Sequence, residues 1–245
     1  MPSSAIITGQ YLNQSFWPRY SPLATEHYYF DQIRSDSCGK IIIWESPDPF
    51  VVLGHANPLK SEVKRLKCER DGIPIYRRIS GGGTVVQGRG CLNYTYLFPV
   101  SLFPELATIT STTAFFLTAT MAILEKLGVK SAINGTSDLT IDQIKFSGNA
   151  QKRSRDAVLF HGTILYDFNL QLIEDWLHFP THQPEYRNSR DHGSFLTNIP
   201  IKPSEFYHAA LKYWQAAEVT ESVSHEIILD YGLQFYEKSE WNEKF

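Results

Sequence analysis

The stretch Arg77-Arg78-Ile79-Ser80-Gly81-Gly82-Gly83-Thr84-Val85-Val86-Gln87-Gly88-Arg89-Gly90-Cys91-Leu92-Asn93-Tyr94 decides how the rest of the chain is read. An apolar run, Ile73 to Tyr76, leads into two arginines and three consecutive glycines. A β-branched run, Thr84-Val85-Val86, and a strand-like alternation from Leu92 to Phe98 follow. Glycine lets backbone approach a ligand closely and adopt positive φ without steric cost. Three in a row between two strands therefore point to backbone laid along a bound molecule, and arginine forks suit phosphate or carboxylate. A plain hairpin turn competes for the glycines alone. The arginines, and a second such segment downstream, favour the ligand.

Working outward, the 245 residues can bury a sizeable core as one large domain or two small ones. A hydrophobic fraction of 42% with 20% charged residues is ordinary for a soluble globular chain. The net charge of −3 makes no case for a nucleic-acid partner, which calls for a basic excess. Local basicity at Lys60 to Arg70 reads as a solvated helix face. The start, Met1-Pro2-Ser3-Ser4, has neither the basic nor the apolar region of a secretory signal, and no apolar run is long enough to span a membrane. Cys38, Cys68 and Cys91 are odd in number and lack metal-ligand spacing, which reads as reduced thiols in a cytoplasmic protein.

Strand and helix patterns alternate without a repeat or a linker, which gives one α+β domain. Strands are expected at Ala5 to Leu12, Lys40 to Trp44, Phe50 to Leu53, Val129 to Ile133, Leu139 to Ile141, Ile144 to Ser147 and Val158 to Tyr166. Helices are expected at Pro22 to Arg34, Leu59 to Arg70, Thr108 to Leu127, Leu170 to Leu177, Glu205 to Ala217 and from Glu226 to Glu237. The polar, proline-containing segment His178 to Ile199 reads as a long functional loop or lid.

The second chemical stretch runs Asp138-Leu139-Thr140-Ile141-Asp142-Gln143-Ile144-Lys145-Phe146-Ser147-Gly148-Asn149-Ala150-Gln151 and on to Leu159-Phe160-His161-Gly162-Thr163-Ile164-Leu165. Asp142-Gln143 is placed as a hairpin turn, which sets Lys145 at the start of the returning strand, just before a Ser-Gly-Asn loop. A strand-end lysine is commonly a solvated charge; beside two glycine segments it also suits a phosphate or a polarised carbonyl. His161-Gly162 ends or interrupts an apolar strand and reads as a structural imidazole with a tight backbone approach.

Together these two motifs resemble the signature of lipoate–protein ligases, in order and spacing, from about Ile6 to Ile199. Either glycine cluster alone would be weak. The resemblance implies a mixed, curved β-sheet flanked by helices, the catalytic-domain fold shared with biotin ligases and octanoyl transferases. It implies activation of lipoate by ATP with Mg²⁺ to lipoyl-adenylate, then transfer to a lysine of a lipoyl carrier domain, such as the glycine cleavage H protein or a 2-oxoacid dehydrogenase E2. An eight-carbon tail gains about 0.8 kcal/mol per buried CH₂. By family correspondence Lys145 is the catalytic residue, contacting the acyl carbonyl and α-phosphate. Arg78, Ser80, Gly81, Gly82, Gly83, His161 and Gly162 are assigned to the acyl group. Arg78, Thr84, Val85, Asn93, Asp138, Lys145, Ser147, Gly148, Asn149, Ala150 and Thr163 are assigned to the nucleotide, with Asp138 also the Mg²⁺-side carboxylate.

Related transferases carry the acyl group on cysteine, either three residues before the His-Gly pair or just upstream of the strand holding Leu139. Here those positions are Val158 and the cysteine-free Asn134-Gly135-Thr136-Ser137, so no thioester route is expected, and Cys91 reads as a small, half-buried residue. Gln87-Gly88 replaces a common His-Asp, and Ser137-Asp138 a common Asn-Asp. Pro200 to Phe245 suffice for closing helices but not for the C-terminal accessory domain of many bacterial ligases. Activation then proceeds without that domain, is supplied by a separate accessory protein, or is bypassed by taking pre-formed adenylate. Glu185-Tyr186-Arg187 and Arg190-Asp191-His192 are expected near nucleotide or carrier, or as a plain exposed charged loop. A non-catalytic lipoate-binding module is the reading from another class, disfavoured by Lys145, the triple glycine and Asp138. Biotin ligases differ in the glycine motif, and metal binding by His178 and His182 fails because Pro180 breaks the helix it needs.

Overall fold

The computed structural model describes residues 7–12, 18–34, 38–180, 183–220 and 223–245. Ala5, Ile6 and His182, invoked above, lie outside them. Strand β1 (Ile7–Leu12) leads to helix α1 (Ser21–Gln32), then strands β2 (Gly39–Trp44) and β3 (Phe50–Leu53). Two short helices, α2 (Leu59–Glu62) and α3 (Arg65–Arg70), precede β4 (Ile75–Arg77), β5 (Val85–Gln87) and β6 (Cys91–Pro99). Helix α4 (Ile109–Lys126) is followed by β7 (Ala132–Asn134), β8 (Asp138–Ile141), β9 (Ile144–Arg153) and β10 (Ala157–Leu165). The chain closes with α5 (Gln171–Trp176), α6 (His192–Phe195), α7 (Pro203–Trp214), β11 (Ala217–Glu218), α8 (His225–Tyr231) and α9 (Ser239–Asn242).

An eight-stranded mixed sheet has the order β11-β1-β2-β6-β10-β9-β8-β7, and β4-β3-β5 form a separate three-stranded sheet that the pattern did not foresee. Alternation along β6 sorts the layers. Leu92, Tyr94, Tyr96 and Phe98 join the main core with Phe116 of α4 and Phe206 and Trp214 of α7. On the opposite face Leu97 packs with Phe30 of α1 and Ile79. Trp44 joins Leu23 of α1 and Val52 of the small sheet. Helix α4 starts at Thr108, whose hydroxyl accepts from the Ser111 amide in a reciprocal capping box, and stops at Gly128 with φ +82°. The β8–β9 hairpin turns on Asp142 (φ 50°) and Gln143 (φ 63°), as placed from sequence.

Five expectations are corrected. The helix expected over Leu59 to Arg70 is broken, because Val63 is extended (φ −124°, ψ 133°) and buried against Leu59, Cys68 and Leu177. The Ser-Gly-Asn loop after Lys145 is strand: Gly148 and Asn149 pair with Asp138 and Gly162 inside the sheet. His161-Gly162 sits mid-strand in β10, opposite Thr95 and Tyr94. The last predicted helix loosens into a π-turn at Gly232–Tyr236, where the Tyr20 ring fills the space a Cβ at Gly232 would need. The segment 183–199 carries a 3₁₀ turn, Glu185–Arg187, and α6 rather than open loop. No helix among the described residues is long and apolar enough to cross a membrane.

Candidate active site

Two adjoining cavities, about 190 and 170 Å³, lie between the large sheet and the glycine-rich stretch. The first crosses the strands: Trp44 on β2, Asn93 on β6, His161 to Thr163 on β10, Gly148 to Ala150 on β9 and Asp138 on β8 line it. Four strand spacings separate β2 from β8, about 19 Å. One end is apolar, with Leu23, Trp44 and Val52; the other carries Ser137, Asp138 and Lys145. The second cavity is walled by Glu62, Phe146, Ser147, Ile173, His178, Arg187, His192 and Phe195, among others. Gly83, Thr84, Val85, Lys145, Gly148 and Thr163 belong to both. Lys145 therefore stands at the junction.

Of the residues assigned from sequence, all except Ser80 and Gly81 line one cavity or the other. Ser80 is fully buried behind the wall, and a Cβ on Gly81 would meet nothing within 4 Å. Asn149 and Ala150, assigned to the nucleotide, line only the first cavity, while Ser147 lines only the second. Strand β9 passes from one cavity to the other at Gly148. Asn93 exchanges two amide hydrogen bonds with Gln87, at 2.8 and 2.9 Å, and both are buried. That pairing gives Gln87 a place the motif comparison had left without a role.

The glycine stretch is an arch held from inside. The Arg78 guanidinium donates to the carbonyls of Gly81 (2.6 Å) and Gly83 (2.7 Å), to Val52 O (3.3 Å) and, through Nε, to Ser80 Oγ (3.0 Å). Its burial lowers its pKa to about 10, with Glu26 opposing the shift; at neutral pH it stays charged. Arg78 is thus spent on shaping the wall rather than left free for an anion. Gly82 needs its hydrogen side chain: φ is +82°, and a Cβ would press on Arg78 Nη2 (3.0 Å) and Ala150 Cβ (3.1 Å). Arg77, also fully buried, donates to the carbonyls of Gly54 (2.8 Å), Asn57 (2.7 Å) and Asn242 (2.9 Å) and so ties the arch's base to α9.

At the polar end Lys145 Nζ lies 2.8 Å from Asp138 Oδ1, and Tyr186 OH donates to Asp138 Oδ2 at 2.7 Å. Burial, then the Asp138 charge and hydrogen bond, push the Tyr186 phenol well above its usual range, which keeps it a donor. Asn149 accepts from Tyr94 OH and donates to Ser137 O (2.8 Å). A Cβ on Gly162 would collide with that amide oxygen, so this glycine serves the close approach inferred for it. Among the described residues no three metal-ligating side chains converge. Asp138 stands as a single carboxylate, which suits a hard cation arriving on phosphate oxygens and not a protein-built cage.

Sequence reasoning missed Glu26. It is buried on α1 and accepts from Trp44 Nε1 (3.0 Å), Thr95 Oγ1 (2.6 Å) and His161 Nδ1 (2.8 Å). Burial raises its pKa, but His161 and these donors outweigh that and leave it lowered. His161 Nε2 in turn meets Ser80 Oγ at 2.6 Å. The connectivity is that of a Ser-His-acid triad, yet Ser80 is buried with Arg78 on its oxygen, so no nucleophile is presented. Glu26 carries no sequence signal of its own: it is one of several polar residues in α1, beside Thr25 and His27. Cys91 is fully buried, not half-buried, and burial pushes its thiol far up; Cys68 is pushed up to about 11, chiefly by burial.

Fold and site together define a mixed α+β domain in which a long slot meets a second cavity at one lysine. A family model described as "Lipoyl protein ligase A/B catalytic domain" matches residues 18–215, and the chain belongs to that family. A lipoate-protein ligase A from Psychrobacter cryohalolentis is 32% identical over 155 residues, which is 63% of this chain and 43% of that relative. The match thus spans less than half of the relative's length. Among solved structures, a bi-partite lipoate protein ligase from Thermoplasma acidophilum, described with its E2 lipoyl domain, superposes with a TM-score of 0.82. It is 19% identical and covers 97% of this chain and 96% of its own. A lipoate-protein ligase A bound with ATP gives 0.79 at 18% identity, covering 98% of each chain. At these identities the likeness shows the fold.

Proposed function

We propose that this chain is a lipoate–protein ligase, joining lipoate to AMP at the expense of ATP and passing the lipoyl group to a lysine of a lipoyl carrier domain. The observation that carries this reading is Lys145 at the junction of an apolar-ended slot and a second cavity. The acyl tail occupies the slot and the nucleoside the second cavity, which brings carboxylate and α-phosphate together at the ammonium. A carboxylate oxygen attacks the α-phosphorus and pyrophosphate leaves; the carrier's ε-amine then attacks the acyl carbon, AMP leaves, and the amine loses a proton. An ammonium has three donors, so Lys145 keeps one on Asp138 and offers two to the negative charge that develops in both steps. Asp138 is the carboxylate that would hold Mg²⁺ arriving with ATP, and the ion would supply neutralisation of phosphate charge there. Inaccessible Cys68 and Cys91 thiols support adenylate rather than thioester chemistry.

The test is incubation of the pure protein with lipoate, Mg-ATP and a panel of carrier domains, with pyrophosphate release and carrier mass followed separately. Pyrophosphate with acylated carrier is the expected result. Acylation only from supplied lipoyl-adenylate would replace this with a transferase that needs a separate activating protein. An acyl-thioester on any of Cys38, Cys68 or Cys91 would overturn the adenylate route.

A further inference from the structure

We infer that Glu26 is a positioning residue for the glycine arch, acting through His161, Ser80 and Arg78. Glu26 touches neither cavity, and only the kinetic arm of the test below rests on the ligase reading. The route is a continuous set of hydrogen bonds through three parts of the fold: Glu26 on α1, His161 on β10, and Ser80 with Arg78 at the arch. Thr95, the register partner of His161, donates to the same carboxylate, so one row of the sheet is pinned beneath the helix.

The donors and acceptors run in one direction only. Glu26 is held unprotonated by its three donors, so it accepts from His161 Nδ1–H. Ser80 Oγ accepts from Arg78 Nε–H, and His161 Nε2 is the one other group it meets among the described residues, so its buried hydroxyl proton finds an acceptor only at His161 Nε2. The ring is thereby fixed as the Nδ1–H tautomer, and Arg78 is fixed with Nη2 on the carbonyls of Gly81 and Gly83. Glu26 and Arg78 are one buried anion and one buried cation, so the carboxylate also offsets the charge that shapes the arch. Replacing the carboxylate by an amide reverses the first link: Gln donates, His161 moves its proton to Nε2, and Ser80 must turn away. A carboxylate that merely satisfied Trp44 and Thr95 would leave the tautomer and the arch alone.

The full chain, labelled with ¹⁵N-histidine, is examined by NMR for ring tautomers, and by hydrogen exchange over residues 80–84. His161 is expected as Nδ1–H with Nε2 unprotonated; an Nε2–H ring in the unmodified protein overturns the inference. In Glu26→Gln the ring is expected to flip, arch exchange to rise about tenfold, and KM for lipoate to rise about tenfold with kcat within about twofold, the loss of one charge-assisted link. Unchanged exchange and KM overturn it. If Glu26→Gln does not fold, Ser80→Ala keeps every charge and cuts the chain one link later. It is expected to keep the Nδ1–H ring and still raise arch exchange, and unchanged exchange there overturns the inference. If lipoate is not a substrate, the tautomer and exchange results still decide it.

Discussion

The glycine arch Ser80–Gly83 and the segment 183–199 both wall the site, but they are anchored in opposite places. The arch hangs on a buried guanidinium and a buried hydroxyl, with Arg78 7% and Ser80 0% exposed. The segment is fastened to the residues at the cavity junction. Tyr186 holds Asp138, the Thr197 amide donates to Lys145 O at 2.9 Å, and Arg190 reaches Gln143 O at 3.1 Å. Within it, Arg187 stacks on Phe195 and Phe179, its carbon 4.6 and 4.9 Å from the ring centres. An arch anchored in the core keeps its shape whether or not a ligand is present. A segment anchored on Asp138 answers to whatever binds there, because a ligand or cation at that carboxylate competes with Tyr186 for it.

The comparison can be broken most severely at Arg78. Arg78→Gln removes a buried cation whose bonds organise four groups, and is expected to destabilise by about 3–5 kcal/mol, roughly 10 °C in melting temperature for a chain of this size. A melting shift below about 2 °C would show that the arch does not depend on the interior. Lys145→Ala is expected to slow acyl transfer by about 10²–10³-fold with the melting temperature nearly unchanged, since Asp138 keeps Tyr186. Single-turnover transfer from lipoyl-adenylate reads this directly. Gly162→Ala drives a methyl into the Asn149 amide and is expected to lower stability by about 1–3 kcal/mol, read by denaturant melts alongside Asn149→Ala, which should relieve part of the loss. Tyr186→Phe should have the smallest effect, about 1 kcal/mol, seen as faster amide exchange confined to 183–199. Exchange that also rises at 80–84 would mean that the two walls are coupled.

Much of the first cavity was legible because its contacts are made by short motifs whose chemistry is local. Glycine at 82 and 162 reports backbone that must come close, and Lys145 after a two-residue turn reports a charge at a strand start. Alternation in Leu92 to Phe98 reported a strand with two different faces. The fate of Arg77 and Arg78 was not legible: adjacent residues on one chain point to different partners, α9 for one and the arch for the other. Nor was the break at Val63, where burial against Leu177 outweighs helical propensity.

What the sequence by itself determined is the family, the place of Lys145 at a strand start and the glycine arch, since these rest on spacing within runs of about twenty residues. Only the tertiary structure decided that Asn149 and Ala150 belong to the first cavity, that Ser80 stands behind the wall, and that Glu26 on a distant helix completes it. The physical reason is that sequence spacing reports which face of its own strand a residue occupies. Which cavity that face meets, and which buried charge balances Arg78, follows from packing between elements far apart in the chain.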